Sequence, residues 1–389
     1  MNTLLSVIAT GFGLVVALHA GAWLTLSIAA LKHPAASRPA RRPWPLTVIV
    51  PAHNEEGGIA ETLRSLAADA YEPRPEIVVV ADNCSDATAA IARGHGATTL
   101  ERFDVARRGK TYALDYGIAA IEHRPLRPDA YVILDADSIV QPGFFAAIAA
   151  SLDAGAEVVQ AEYRVFAAAD ARTRLRALAF SLVHYARPLG AKRMGLGMGL
   201  KGNGMAFRRE LVVHGMPGSG ITEDAAAALE LAQRGVAATF EPGAVVFGRM
   251  APSYAAAAVQ DRRWEGGRLS LVPRAFAVAV RALLRGRWKA AGAALDVAAL
   301  PFTLVGLLAV AGLGIALAGY GFLWLAVADC GLLGVYPFVG WFAARVPAKE
   351  LCVLFLAPRF FVHKLLVLAS LARSGVPRTW ERTERGGEV

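Results

Sequence analysis

Two apolar tracts limit what this chain can fold into more than any other feature of its sequence. Thr3 to Leu31 is apolar apart from His19 and small hydroxyl residues, and Val297 to Ala344 is long enough for two passes, with Gly319-Tyr320-Gly321 as a tight turn between them. A bilayer core about 30 Å thick takes about 20 apolar residues as a helix, so the tracts read as one span and a hairpin of two. With 389 residues, 55% of them hydrophobic, and a mean hydropathy of +0.41, the chain is too apolar for an ordinary soluble protein yet can still build a large core. Lys32, His33, Arg38, Arg41 and Arg42 follow the first tract, which sets the downstream region in the cytoplasm by the positive-inside rule. A cleavable signal peptide is the competing reading, and it lacks a basic n-region. Asp329 would fall inside the last span, facing a helix partner or a polar path unless displaced to the interface.

The expected divisions are residues 1–42 for the first span and its basic linker, 43–272 for a cytoplasmic domain, 273–294 for an interfacial helix, 295–345 for the transmembrane hairpin, and 346–389 for an interfacial helix and polar tail. Phe276–Lys289 mixes apolar residues with Arg281, Arg285 and Arg287, and Leu351–Leu371 is interrupted by Pro358-Arg359 and His363-Lys364, hence the interfacial readings. A net charge of +9, from 41 Lys+Arg against 32 Asp+Glu, suits anionic lipid heads and nucleotide phosphates. Nucleic acid is a poor fit, because the basic residues border apolar spans instead of interleaving with exposed aromatics. Cys84, Cys330 and Cys352 are scattered and exclude a disulfide framework or a zinc site.

From Pro43 to about Phe247 strand-like and helix-like segments alternate. Leu46–Pro51 reads as a strand, Glu55–Ala70 as a helix, Glu76–Ala81 as a strand, Ser85–Arg93 and Lys110–Ile121 as helices, Tyr131–Leu134 as the central strand and Gly143–Leu152 as a helix. That order predicts an α/β fold, a mostly parallel Rossmann-like sheet flanked by helices, with ligands at the strands' carboxyl ends. Polar clusters fall at those ends: His53-Asn54-Glu55, Asp82-Asn83, and Asp135-Ala136-Asp137. Two carboxylates one residue apart repel unless a cation lies between them, and a hard divalent ion shared with nucleotide phosphates would satisfy them. Turns with helix caps account for Asn and Asp at these places equally well. Arg108-Gly109-Lys110 opens a helix near these ends, and Thr222-Glu223-Asp224 opens another, where Thr222 can act as the cap and a carboxylate could accept a proton. Gln260, Arg263 and Trp264 share one helical face, joining a guanidinium suited to a diphosphate with an indole suited to a sugar ring.

In order and spacing, HNEE, ADNCSD, RGK, DAD, GNGMAF (Gly202–Phe207), TED and QDRRW resemble the family-2 inverting glycosyltransferases with a GT-A domain. They are most similar to the membrane-embedded branch with cellulose, hyaluronan and poly-N-acetylglucosamine synthases, over about residues 44–270. The resemblance implies that Pro51, Glu55 and Asp82 frame the uridine of a UDP-sugar, that Lys110 approaches the diphosphate or uracil side, and that Asp137, helped by Asp135, holds Mg²⁺ or Mn²⁺. It makes Asp224 the general base beside Glu223. Gln260, Arg263 and Trp264 would bind the leaving diphosphate and the acceptor, and Gly202-Asn203-Gly204 would be a close-approach loop near donor and acceptor, counted with Glu223 among the acceptor contacts. The implied function is transfer of a hexose or N-acetylhexosamine to a growing glycan, with a single transfer to a lipid acceptor such as a polyprenyl phosphate or glycolipid as the alternative. A catalytically silent membrane scaffold is the alternative of another class. Three spans are fewer than polymer-extruding synthases carry, so export would need an oligomer or a partner.

Overall fold

The computed structural model describes residues 2–32, 38–166, 170–250 and 253–376. His33 of the basic linker and the polar tail beyond residue 376 lie outside the described residues. In chain order the elements are α1 (Asn2–Ala29), β1 (Leu46–Ala52), α2 (Ile59–Ala67), β2 (Glu76–Asp82), α3 (Thr88–Gly94), β3 (Thr98–Arg102), α4 (Lys110–Glu122), β4 (Ala130–Ile133), β5 (Ile139–Val140), α5 (Phe144–Asp153) and β6 (Val158–Val165). There follow α6 (Ala171–Ser181), α7 (Arg187–Arg193), β7 (Met205–Arg208), α8 (Glu223–Arg234), β8 (Ala238–Gly248), α9 (Tyr254–Leu284), α10 (Trp288–Ala298), α11 (Phe302–Leu317), α12 (Leu323–Ala343) and α13 (Ala357–Ser374).

The eight strands form one sheet in the order β3-β2-β1-β4-β7-β6-β8-β5. The first four pair in parallel, with Ile49 beside both Val78 and Ile133, so β1, β2 and β4 end on one edge. The antiparallel strand β7 joins this half to the pair β6 and β8. The strand sequences are continuous apolar runs because both faces are covered. Ile49, Val78, Val80 and Ile133 face Leu114 and Ile118 of α4 and the alanine-rich α8 and α10. Val48, Val50, Val79 and Val132 face Leu63 of α2 and Phe144, Phe145 and Ile148 of α5. A period of two thus sorts one run of valine and isoleucine into two cores.

Two helices differ from the sequence expectation. The break expected between Leu271 and Phe276 is absent: α9 is a single helix of 31 residues through Pro273. Proline removes one backbone donor, and the burial of Ala275, Val278 and Ala279 on the far side carries the helix across it. The expected start of α2 at Glu55 moves to Ile59, because residues 53–58 form a loop braced to the loop after β2.

Among the described residues, the helices long and apolar enough to cross a membrane are Thr3–Ala29, Leu323–Ala343 and Ala348–Ser374; α10 and α11, bent by 70°, add a fourth if read as one broken span. The segment expected to be interfacial after residue 346 therefore has the length and composition of a span, while α11 has only 16 residues. The reason lies with two prolines. Pro301 ends α10 and turns the chain, whereas Pro358 falls in the first turn of α13, where its missing N–H costs no helical bond. Asp329 is buried in α12 facing α1, where a Cβ on Gly13 would stand 3.2 Å from its Oδ2.

The membrane-type helices pack directly on the sheet domain. Val16, Ala20 and Trp23 of α1 join Val305, Leu333 and Tyr336 in one core, and α1 crosses α7 at Gly190. A Cβ there would lie 2.0 Å from the carbonyl oxygen of Leu26, which only glycine avoids. Gly190→Ala is therefore expected to lose at least about 2 kcal/mol through overpacking and lower the thermal midpoint in detergent. An unchanged midpoint would mean that α1 does not rest on α7.

Candidate active site

The loops after β1 and β2 are locked together by their own side chains. Asn54 and Asn83 both adopt positive φ, of 53° and 51°. Ser85 N donates to Asn54 Oδ1 at 2.8 Å, Glu55 N to Thr88 Oγ1 at 2.7 Å, and Ala87 N to Glu56 Oε2 at 2.9 Å. Short polar side chains here replace the backbone ladder that ends with the strands. His53 Nδ1 lies 2.7 Å from the carbonyl oxygen of Asp82.

Asp82 is buried, and its Oδ1 accepts from Arg102 Nη1 at 2.6 Å and from Asn83 Nδ2 at 3.0 Å. Arg102, itself buried, reaches on to Asp104 Oδ2 at 3.2 Å. The sequence reading did not include Arg102 because β3 was not recognised; the alternation in Thr98-Thr99-Leu100-Glu101-Arg102 is the signal that marks the strand.

Lys110 opens α4 and lies between three other elements. Its Nζ donates to Asp135 Oδ1 and to the carbonyl oxygen of Gly202, each at 2.5 Å, and lies 3.9 Å from Glu223 Oε1. Burial opposes its charge, but Asp135, Glu223 and Asp224 outweigh that and raise its pKa. Gly202 adopts φ +80°, a conformation that favours glycine, and a Cβ there would crowd Asp224 Oδ2 at 3.3 Å. Asn203, expected among the acceptor contacts, is instead turned into the core. Its Oδ1 accepts from Asp135 N at 3.1 Å, its Nδ2 donates to Ser138 Oγ at 2.8 Å, and its carbonyl accepts from buried Gln160 Nε2 at 2.7 Å. With its side-chain amide bonded to Asp135 and Ser138, its carbonyl to Gln160, and the residue 1% exposed, Asn203 acts as a positioning residue.

Glu223 and Asp224 begin α8. Thr222 occupies the cap position without a side-chain cap bond, contrary to the sequence expectation, and packs against Gly267 of α9. Burial raises both carboxyls: Glu223 to about 7, only partly offset by Lys110, and Asp224 above its ordinary value, against the hydrogen bond from Ala225 N. On α9, Gln260, Arg263 and Trp264 share one face as expected, and Asp261 takes the other. Asp261 is 1% exposed and bonds Arg176 Nη2 at 2.7 Å, Lys364 Nζ at 3.0 Å and His363 Nε2 at 3.3 Å, which ties α9 to α6 and α13.

One open cavity of about 1220 Å³ collects these groups. Pro51, Glu55, Asp82, Lys110, Asp135, Asp137, Gly202, Glu223, Asp224, Gln260, Arg263 and Trp264 all line it, while Asn203 and Gly204 lie behind its wall. Among the described residues no three His, Cys, Asp or Glu side chains form a metal cage. Asp135 and Asp137 suit a hard ion that draws its remaining oxygens from substrate phosphates, the usual habit of Mg²⁺.

The family profile described as "Glycosyltransferase like family 2" matches residues 43–267. No curated protein sequence matches the chain. Among solved structures, the fold is similar to mannosyltransferase PcManGT from Pyrobaculum calidifontis, solved with GDP-Man and Mn²⁺, at 20% identity over 95% of this chain and 98% of that one, with a TM-score of 0.55. Two further structures are more distant. Glucosyl-3-phosphoglycerate synthase from Mycobacterium tuberculosis, in complex with Mn²⁺, UDP and glucosyl-3-phosphoglycerate, aligns at 23% identity over 54% of this chain and 73% of that one, TM-score 0.36. Mannosyl-3-phosphoglycerate synthase from Rubrobacter xylanophilus aligns at 17% over 63% and 76%, TM-score 0.39. The mostly parallel sheet flanked by helices is of the GT-A type, as the sequence predicts.

Burial works against the charge of Asp261, but His363, Lys364 and Arg176 prevail and hold its pKa below the ordinary carboxylate range. A depressed carboxylate stabilises the fold above its unfolded pKa of about 3.9, and that contribution is lost as pH falls below it. Asp261→Ala, which strands the cations, is expected to cost about 3–5 kcal/mol at pH 7, read from denaturant unfolding. A loss under about 1 kcal/mol at pH 7 would contradict the assignment.

Proposed function

Because the chain belongs to the glycosyltransferase-like family 2, whose profile spans more than half of it, we propose that it is a membrane-bound enzyme transferring a hexose or N-acetylhexosamine from a UDP-sugar, with inversion at the anomeric carbon. The observation that carries this reading is the meeting of Lys110, Asp135, Asp137, Glu223 and Asp224 in the same cavity as the Gln260, Arg263 and Trp264 face. Residues 43–267, the matched region, sit on the cytoplasmic side in this reading, with the apolar helices as anchor.

The donor's base lies over Pro51 and Glu55 beside Asp82, whose carboxylate is held in place by Arg102. Asp137 and Asp135 are the residues that would hold Mg²⁺ or Mn²⁺ with the diphosphate, and a bound ion supplies charge neutralisation for the departing phosphates. Lys110 and Arg263 contribute fixed positive charge to the same end of the cavity. On the opposite side Asp224, raised by burial, accepts a proton from the acceptor hydroxyl as its oxygen attacks the anomeric carbon. The backbone at Gly202 leaves the sugar room beside that carboxylate. Trp264 offers a flat apolar face for the acceptor.

Transfer to a growing glycan and transfer to a lipid share this chemistry. The helices among the described residues are few for a chain-enclosing pore, and the cavity continues toward Trp23 and Tyr336 of the membrane-type helices, which favours the lipid.

Asp224→Asn is expected to lower turnover by about 10²–10⁴-fold while UDP still binds, measured by UDP release and by calorimetry. Full turnover in that variant would remove Asp224 as base. Asp137→Ala is expected to weaken UDP binding only in the presence of Mg²⁺ or Mn²⁺; equal weakening in chelator would contradict its role. Protonation of the Glu223/Asp224 pair silences the base, so kcat/KM falls on the acid side with an apparent pKa above the ordinary carboxylate range, belonging to the pair. A limb at pH 4 would contradict the buried base.

A further inference from the structure

Beyond the donor and base residues, the cavity has an arm that the transfer chemistry above does not use. Its lining includes Lys201, Arg268, Arg187 and His184 together with Trp23 and Tyr336 of the membrane-type helices. Arg187 is 8% exposed and its Nε has no hydrogen-bond partner among the described residues. Its guanidinium lies 5.2 Å from the Trp23 ring, and Trp23 lies 5.4 Å from Tyr336. His184 Nδ1 is likewise buried without a partner, and its ring stacks on Phe180 at 4.3 Å.

The charges facing this arm do not balance. Lys201 Nζ pairs with Asp296 Oδ2 at 2.6 Å, and Arg268 Nη2 donates to the carbonyl oxygen of Asp296 at 2.7 Å, so the carboxylates of Asp296 and Asp224 stand against Lys201, Arg268 and Arg187. A buried cation without a partner is costly unless something supplies the missing acceptor. Burial, with Arg268 and Arg187 nearby and Asp296 opposing them, brings Lys201 down to about 8, and burial with the same cations keeps His184 neutral at pH 7. Past this cluster the walls turn apolar, with Leu178, Phe302 and Tyr336.

Resting on the glycosyltransferase reading, we propose that this arm is the acceptor site and that the acceptor is a phosphate-linked lipid bearing a hydroxylated head: its phosphate meets Arg187 and Arg268, its tail runs between the helices of Trp23 and Tyr336, and its head reaches Asp224. Arg187 lies against Trp23, and Lys201 and Arg268 meet at Asp296, so cationic and apolar walls adjoin as the phosphate and tail of such a lipid do. In the reaction the head's hydroxyl oxygen forms the new bond to the anomeric carbon, its proton goes to Asp224, and the bond from that carbon to the diphosphate breaks with its electron pair leaving on UDP. A soluble glycan has no use for the apolar walls, and a neutral lipid has no partner for Arg187.

The test uses the full chain in phosphatidylcholine nanodiscs and measures binding of phosphatidylglycerol, diacylglycerol and glycerol 3-phosphate, with UDP–Mn²⁺ binding followed in the same samples. Phosphatidylglycerol is expected to bind at least about tenfold tighter than either fragment. Arg187→Gln should weaken it about tenfold or more, with partial recovery in Arg187→Lys. Equal binding of diacylglycerol, equal binding of glycerol 3-phosphate, or Arg187→Gln binding phosphatidylglycerol as wild type would each overturn the proposal. If Arg187→Gln also loses UDP–Mn²⁺, the wild-type comparison of the three probes decides alone. Wild-type protein that binds UDP–Mn²⁺ but not phosphatidylglycerol sinks only the lipid site, whereas failure to bind UDP–Mn²⁺ sinks the enzymatic reading beneath it.

Discussion

The ammonium of Lys110 holds the wall of the cavity in its shape. It bridges the end of β4 at Asp135, the backbone of the loop at Gly202, and the start of α8 at Glu223. Without a cation at this point, the half-buried carboxylates of Asp135, Glu223 and Asp224 would face one another across a space from which much of the water is excluded. With it, the parallel half of the sheet and the α8 half of the domain are tied by one charged side chain at the wall of the cavity. The loop behind it is equally determined: Gln160 hydrogen-bonds the backbone on both sides of Gly202, at Lys201 N and Asn203 O, and Asn203 Oδ1 accepts from Asp135 N.

Helix α9 joins this chemistry to the membrane-type helices. One face carries Gln260, Arg263 and Trp264 toward the cavity; the other buries Asp261 among Arg176, His363 and Lys364. The same motif therefore presents an amide, a guanidinium and an indole to the cavity and fastens α6 and α13. A second fastening is apolar, where Gly190 of α7 meets the backbone of α1. Helices α1, α6, α9 and α13 all contribute lining residues to the cavity, so its shape depends on how these helices sit against the sheet.

The sequence reveals the parallel half of the fold because its strands are continuous valine and isoleucine runs that end in polar residues, a pattern local to each segment. It reveals the carboxylates for the same reason. The mixed half, β6 to β8, is not legible: Met205–Arg208 is short, and Ala238–Gly248 contains Pro242 and Gly243, so neither has a strand's usual period. Partners set by long-range pairing are also hidden. Arg102 beside Asp82 follows from the register of β2 and β3, and the Lys201, Arg187 and Asp296 group comes from three distant segments. Asn203 shows the converse, a motif residue whose place in the sequence suggests a ligand contact and whose burial makes it a brace. The continuity of α9 through Pro273 was invisible because proline's local preference was outweighed by packing on its far side.

The central claim is that one cavity receives a nucleotide diphosphate and a cation at the Asp135/Asp137 end. It is tested most directly by anomalous diffraction from crystals of the full chain grown with UDP and Mn²⁺. The account predicts a single manganese peak within coordination distance of the Asp137 carboxylate and of the diphosphate oxygens, with the uracil beside Asp82. Manganese bound away from Asp137, or UDP seated outside the cavity that Lys110 and Asp224 share, would contradict it.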